Sequence, residues 1–221
     1  MMNVALLLLV LLPRQESFEC EDGYELKYKW RAPESIEEGK KYPLVLCLHG
    51  AGGSTQAVRA LSRRSPEPCF VFAPKVETKK YSWSSKRIKA IPYVLEALDV
   101  LVAKHPVDPD RIYVTGQSMG GAGTWGALSA RPRFFAAAAP VCGGWNPKEA
   151  KRFRDVPIWV FHGDADKRVP VERSREMVEA LRKAGGDPKY TEYPGVSHNS
   201  WSRAYATDEL WEWMFSRRRK S

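Results

Sequence analysis

The chain has 221 residues, 43% of them hydrophobic and 28% charged, with a formal net charge of +9. That balance excludes an intrinsically disordered chain, and the length suits one compact domain whose core needs no disulfide staples. The basic excess is scattered over short clusters, Lys40-Lys41, Arg63-Arg64, Lys79-Lys80, Lys151-Arg152 and Arg217 to Lys220, without interleaved aromatics. It reads as solvated surface and speaks against a nucleic-acid partner, while a bias toward anionic substrates stays open.

The N-terminal stretch "MMNVALLLLVLLPRQESFEC" contains an apolar run from Val4 to Leu12. A bilayer core needs about 20 apolar residues, so no stable membrane span is expected. The run has the character of a signal-peptide h-region, although Met1 to Asn3 carry no Lys or Arg and no A-x-A site follows. The expectation is a hydrophobic leader over residues 1–19, a single catalytic domain over 20–216 and a basic tail over 217–221, in an exported protein. Cys20 follows the bulky, acidic Phe18-Glu19 and does not suit lipid attachment, and Cys47 reads as a small core hydrophobe. Four cysteines do not settle the compartment.

Beyond the leader, "YELKYKW" (24–30) alternates like a half-exposed strand. "YPLVLCLHG", "CFVFAPK", "RIYVTGQ", "FAAAAPVCG" and "PIWVFHG" are nearly continuous apolar runs, as in strands buried on both faces. Helical periodicity appears in "IPYVLEALDVLVAKHP", with Ile91, Val94, Leu95, Leu98 and Val102 on one face, and in "VERSREMVEALRKAGG", which stops at Gly185-Gly186. A last helix follows Thr207 as N-cap, packs Leu210, Trp211, Met214 and Phe215 inward, and ends in Arg217 to Arg219, where cations suit the helix dipole. Strand and helix in alternation imply an α/β architecture, a mostly parallel sheet with helices on both faces and its ligand site at the carboxyl ends of the strands. The connection from Gly143 to Pro157 is too short for a large lid.

In "RIYVTGQSMGGAGTW", Ser118 sits between glycines where a strand-like run gives way to a helix-like one, the arrangement of a nucleophile elbow. Alone, G-x-S-x-G arises by chance in roughly one chain in ten of this length. The rest of the chain adds what the motif lacks. "LVLCLHGAGGS" places a glycine-rich turn after a strand, "IWVFHGDADKRVP" offers Asp164 and Asp166, and "KYTEYPGVSHNSW" offers His198. Ser, Asp, His is the order of α/β-hydrolases and of neither chymotrypsin nor subtilisin. A serine hydroxyl attacks a carbonyl when an imidazole takes its proton, and a carboxylate fixes the imidazole tautomer. Prearranged N–H groups hold the oxyanion: Met119, and Ala51 or Gly52.

These motifs, "YPLVLCLHGAGG", "DPDRIYVTGQSMGGAGTW", "VPIWVFHGDADKRVPVERSREMVEALRKAGG" and "YTEYPGVSHNSW", resemble the α/β-hydrolase esterases of the phospholipase/carboxylesterase and dienelactone-hydrolase-like group. Within it they are similar to small secreted bacterial esterases often labelled prolyl-oligopeptidase-like peptidases. The resemblance runs from about Gly23 to the final helix and implies Asp166 as the triad acid. The chain departs from the group's pattern at Ala51-Gly52-Gly53-Ser54 and in a short "PKVETKKYSWSSKRIKAIP" segment.

Asp164, directly after Gly163, reads as a brace of the turn. His49 reads as a structural neighbour of the oxyanion turn, His162 as a hydrogen-bonded core residue and His105 as a helix-end residue. Trp83, Trp125, Trp145 and Trp201, with Gly52, are candidate pocket residues near strand ends. No His/Cys/Asp set has metal-ligand spacing, so neither a metal nor an organic cofactor is implied. The expected activity is carboxylic ester hydrolysis on a small or polysaccharide-linked ester. The rivals are a serine peptidase of prolyl-oligopeptidase type and a non-catalytic exported binding domain.

Overall fold

The computed structural model describes residues 14–77, 81–83 and 88–219. The Val4–Leu12 run and the clusters Lys79-Lys80 and Lys86-Arg87 lie outside them, as does Lys220. In chain order the strands are β1 (Arg14–Glu19), β2 (Glu25–Arg31), β3 (Tyr42–Leu48), β4 (Phe70–Lys75), β5 (Tyr81–Ser82), β6 (Ile88–Lys89), β7 (Val107–Gln117), β8 (Ala137–Val141), β9 (Trp159–Gly163) and β10 (Lys189–Tyr193). The helices are α1 (Gln56–Arg64), α2 (Ile91–Lys104), α3 (Met119–Ala130), α4 (Glu172–Lys183), α5 (Trp201–Ala204) and α6 (Asp208–Phe215), with a 3-10 helix at Pro147–Arg152.

Eight of these strands form one sheet in the order β1-β2-β4-β3-β7-β8-β9-β10, and β5 pairs with β6 apart from it. The pairings β1–β2 and β2–β4 are antiparallel, the rest parallel. The continuous apolar runs are explained by burial on both faces. In β3, Leu44, Leu46 and Leu48 join the core cluster that includes α2 and α3 residues, while Val45 and Cys47 join the cluster that includes α1 and α6 residues. The chain moves from β3 outward to β4 and then returns to β7 on the other side of β3, so loops leave these neighbours in opposite directions and open a crevice between them.

α4 ends as its sequence suggests. Gly185 takes φ +88°, Gly186 N–H donates to Leu181 O at 2.9 Å and Gly185 N–H to Arg182 O at 3.0 Å, a Schellman closure. Thr207 occupies the N-cap position of α6, but its hydroxyl donates to Arg203 O at 3.0 Å and does not cap the helix, whose Leu210, Trp211, Met214 and Phe215 are buried.

Four features correct or extend the sequence reading. Residues 14–19, assigned to the leader, form the edge strand β1, paired with β2 from Arg14↔Trp30 to Glu19↔Glu25. Its signal was weak because Phe18 is its only large apolar residue. α1 was not anticipated, since only Ala57 and Leu61 are fully buried, although Thr55 Oγ1 accepting from Ala57 N at 3.3 Å marks its start. The arginines after α6 do more than face its dipole: Arg218 pairs with Asp108 at 3.0 Å and Arg219 with Asp110 at 3.1 Å, pinning the tail to β7. The 143–157 connection is not bare loop, for its 3-10 helix walls the cavity described below. The four cysteines are free thiols, all buried.

α3 lies close against the sheet because two glycines remove side chains at the contact. A Cβ on Gly120 would overlap the Leu48 carbonyl, and one on Gly116 would overlap that of Gly120. Backbone atoms on both sides leave nothing to repack. Gly120→Ala should therefore destabilise the fold by about 3 kcal/mol or more, whereas Gly52→Ala, with nothing within 4 Å, should change stability by less than about 0.5 kcal/mol. Urea unfolding of both variants checks the pair, and equal losses would refute the tight approach.

Candidate active site

Ser118 follows β7 and precedes α3 with φ 56° and ψ −117°, a conformation that side chains other than glycine rarely hold. Such strain costs of order 1–3 kcal/mol and persists where surroundings over-determine it. Here Ser118 N–H donates to Val141 O at 2.9 Å and Ser118 O accepts from Ala122 N at 3.0 Å, so the elbow is tied to β8 and to the first turn of α3. The hydroxyl is thereby held above the carboxyl edge of the sheet.

Loops after β9 and β10 bring up the partners. Ser118 Oγ lies 2.9 Å from His198 Nε2, and His198 Nδ1 lies 2.7 Å from Asp166 Oδ2. The Asp166 side chain is fully buried and that of His198 is 15% exposed. Asp166 Oδ1 accepts from Arg168 N at 2.8 Å and Val169 N at 3.0 Å. Burial alone would raise this carboxyl, but the His198 hydrogen bond and the two backbone donors outweigh it and hold it below the usual range. Asp164 does different work: its Oδ1 accepts from Gly195 N at 2.7 Å, bracing the loop that carries His198.

Behind the carboxylate lies a layer that the sequence announced only as a hydrogen-bonded core histidine. His162, fully buried at the end of β9, places Nε2 3.2 Å from Asp166 Oδ2 and 3.0 Å from Val169 O, while Nδ1 lies 2.7 Å from Ser174 Oγ on α4. Two acceptors at Nε2 require a proton there, so Nδ1 accepts from the Ser174 hydroxyl. Burial pushes the His162 pKa down, which keeps this neutral tautomer. Its only sequence signal was a histidine directly ahead of Gly163-Asp164-Ala165-Asp166.

The turn after β3 abuts the elbow. Gly53 N–H closes it onto Gly50 O at 3.0 Å, and a Cβ on Gly50 would lie 3.7 Å from Ser118 Cβ. Ala51 is exposed in this turn, and Met119 begins α3, where first-turn N–H groups have no helical acceptor. His49 is held by Val76 N donating to Nε2 at 3.1 Å and by Nδ1 2.6 Å from Gly50 O; burial lowers its pKa. That geometry leaves it no part in proton transfer to Ser118.

A cavity of about 470 Å³ opens beside Ser118, lined by Met119, Ala122, Trp145, Asn146, Glu149 and Arg173 among others. Of the four candidate tryptophans, Trp145 lines it and Trp201 stands edge-on to His198, ring centres 5.1 Å apart. The other two are corrections. Trp83 is buried, with Nε1 donating to His49 O at 2.8 Å, and packs where Gly123 leaves room. Trp125 is fully buried and donates to Gly143 O at 3.0 Å. Trp83 faces the core where Gly123 of α3 leaves space, and Trp125, on α3 itself, packs on Phe153 with ring centres 5.9 Å apart. Gly52 is exposed on the turn and does not line the cavity. Glu149, held below its usual pKa first by the Ser129 hydroxyl, and Arg173, whose stem packs on Gly144, are lining residues the sequence did not reveal.

Sequence spacing suggested no metal cluster, yet the fold brings ligand atoms of Cys142, Asp166 and His198 within 4.8 Å of one another. Burial raises the Cys142 thiol to about 12, so it stays protonated, with Sγ 3.6 Å from His198 O. Asp166 and His198 are already committed to each other.

A mostly parallel eight-stranded sheet, helices on both faces and a serine elbow at the strand ends define an α/β-hydrolase fold. The chain belongs to the dienelactone hydrolase family, whose model matches residues 32–215. The crystal structure of a thermostable esterase superposes with a TM-score of 0.89 at 35% identity, covering 96% of this chain and 64% of that one. A rice (Oryza sativa subsp. japonica) protein named "probable carboxylesterase" is 30% identical over 81% of this chain and 80% of its own. A secreted protein of Arthroderma benhamiae, its activity uncharacterized, is 26% identical over 84% of this chain but only 25% of its own length. Several relatives are thus much longer than this chain, which covers 36% and 19% of two others. No helix among the described residues is long and apolar enough to cross a membrane.

The two buried neutral imidazoles give a pH test. Folded His162 and His49 have lowered pKa values, so below about pH 6.5 the unfolded chain binds protons that the native state refuses. Stability should be full above that pH and decline as it drops toward 5, by up to about 1.4 kcal/mol per pH unit per histidine. Asp166 contributes separately, its stabilisation being lost only below about pH 4. Urea titrations between pH 5 and 8 should show a shallower slope in His162→Gln. An unchanged slope would mean that His162 accepts a proton in the native state.

Proposed function

We propose that the protein is a serine hydrolase of carboxylic esters. The observation that carries this reading is the unbroken hydrogen-bond chain from Ser118 through His198 to Asp166, at 2.9 and 2.7 Å, starting from a strained elbow beside an open cavity. Family membership and the esterase likeness support it.

In this reading Ser118 Oγ attacks the ester carbonyl as His198 Nε2 takes its proton, and Asp166 stabilises the imidazolium through Nδ1–H. The tetrahedral oxyanion is received by Met119 N–H and Ala51 N–H, each such donor contributing about 10²- to 10³-fold. Collapse expels the alcohol, which takes the proton from His198 and leaves an acyl-enzyme. Water, deprotonated by His198, then releases the acid. The cavity walled by Met119, Ala122 and Trp145 suits the acyl group; the substrate is a small or polysaccharide-linked ester. The apolar Val4–Leu12 run and the secreted relative support an exported protein.

A fluorophosphonate probe should label Ser118, and Ser118→Ala should lose both labelling and turnover of p-nitrophenyl esters; full activity in that variant would remove the central claim. Peptide p-nitroanilides should be poor substrates, and a preference for them would replace the esterase with a peptidase.

The two aspartates separate cleanly. Asp166→Asn should lower kcat by about 10⁴ through the wrong imidazole tautomer. Asp164→Asn retains an acceptor for Gly195 N–H and should stay within about tenfold of the parent. Steady-state kinetics on one ester would expose a reversed pattern.

A further inference from the structure

On the other side of the oxyanion turn from the 470 Å³ cavity lies a second concavity of about 430 Å³. Its walls come from β2, β4, α1 and the Gly53-Ser54-Thr55 stretch, with Gln15 of β1 at one end. Four cations line it, Lys27, Lys29, Arg59 and Lys75, and no Asp or Glu does. All four are exposed, and among the described residues none forms a salt bridge.

The register shows that this grouping comes from the sheet itself. Lys27 stands directly opposite Lys75 on adjacent antiparallel strands, and Lys29 follows Lys27 on the same face. Like charges directly opposite destabilise a sheet pair. Some surface cations elsewhere are matched, Arg218 with Asp108, Arg175 with Glu192 and Arg131 with Asp99, and others stand singly; what marks these four is that they share one concavity that no carboxylate lines. Here the charges are left facing one another and Arg59 is added from the helix above.

Their spacing favours an extended ligand. Lys27 and Lys29 are two strand residues apart, about 6.8 Å, and adjacent strands lie about 4.8 Å apart. A compact phosphate cannot engage all four at once, whereas a chain bearing repeated carboxylates can. The aromatic rings at the wall, Tyr28 and His49, are 6% and 2% exposed, so nucleic-acid bases would find no stacking platform. The groove also shares Gly53 to Thr55 with the turn that abuts Ser118, so a ligand lying in it continues toward the elbow.

We infer that this groove is a subsite for the carboxylate-bearing part of an acidic polysaccharide whose ester is presented at Ser118. The inference rests on the esterase reading for its destination but not for its binding chemistry. It places the charge recognition on β2, β4 and α1.

The test uses the full chain in three forms: the parent, a groove variant Lys27→Gln/Lys29→Gln/Arg59→Gln/Lys75→Gln, and a charge-matched control Lys104→Gln/Arg133→Gln/Lys151→Gln/Arg182→Gln. Polygalacturonate binding is measured by calorimetry at 0.01 M and 0.15 M salt, beside inorganic phosphate and a single-stranded oligonucleotide. Turnover of neutral p-nitrophenyl acetate is measured in parallel. Losing four exposed ion pairs should weaken polygalacturonate binding about thirtyfold in the groove variant and less than about threefold in the control. Binding by the parent should also weaken as the Debye length falls from about 30 to 8 Å. Neutral-ester turnover should match in all three.

Equal polygalacturonate affinity in the groove and control variants overturns the subsite. So does stronger binding of phosphate or of the oligonucleotide at these four residues. If p-nitrophenyl acetate is not hydrolysed while the groove-dependent binding remains, the esterase reading fails and the anion site stands.

Discussion

The structure depends on a contact of backbone with backbone. α3 starts one residue after β7, and it can do so only because Gly116 and Gly120 let its first turn rest on the carbonyls of β3 and on its own preceding strand. That contact forces Ser118 into positive φ and fixes where its hydroxyl points. It also decides the fate of side chains farther along the helix, since the space left by Gly123 is filled by Trp83. Strain at the serine is thus sustained by packing that would have to be undone to relieve it.

The second organising element is the Asp166 carboxylate, which gathers hydrogen bonds from three directions. Two backbone N–H groups hold one oxygen, and His198 and His162 share the other. Its orientation therefore does not rest on His198 alone. Ser174 extends the same network into α4, so the first turn of that helix is joined to Ser118 through an uninterrupted series of polar contacts. Networks of this kind strengthen one another inside a protein and leave little freedom to any member.

The major elements and the order Ser118, Asp166, His198 were legible because each signal is local: an apolar run, then a turn residue, then a reactive side chain. What was not legible depends on what lies across from a residue. An aromatic near a strand end turns inward or outward according to the partner it meets: Trp83 turns inward where Gly123 has no side chain to oppose it, and Trp125 where it meets Phe153. β1 was hidden because an edge strand with one large apolar residue resembles the polar flank of a leader. The Lys27–Lys75 opposition is a property of strand register, which no linear pattern displays.

The segment from Gly143 through the 3-10 helix is a different kind of structure from the elbow it faces. It is fastened by side chains, with Asn146 capping Lys148 N at 3.2 Å, Ser129 holding Glu149, and Arg173 packing on Gly144. Ser118, on the opposite wall, is fastened by backbone approach. Mutational change can therefore reshape the wall around Trp145 one side chain at a time without disturbing the placement of Ser118. On such a scaffold the shape of the cavity can change while the Ser118–His198–Asp166 chain of hydrogen bonds is kept.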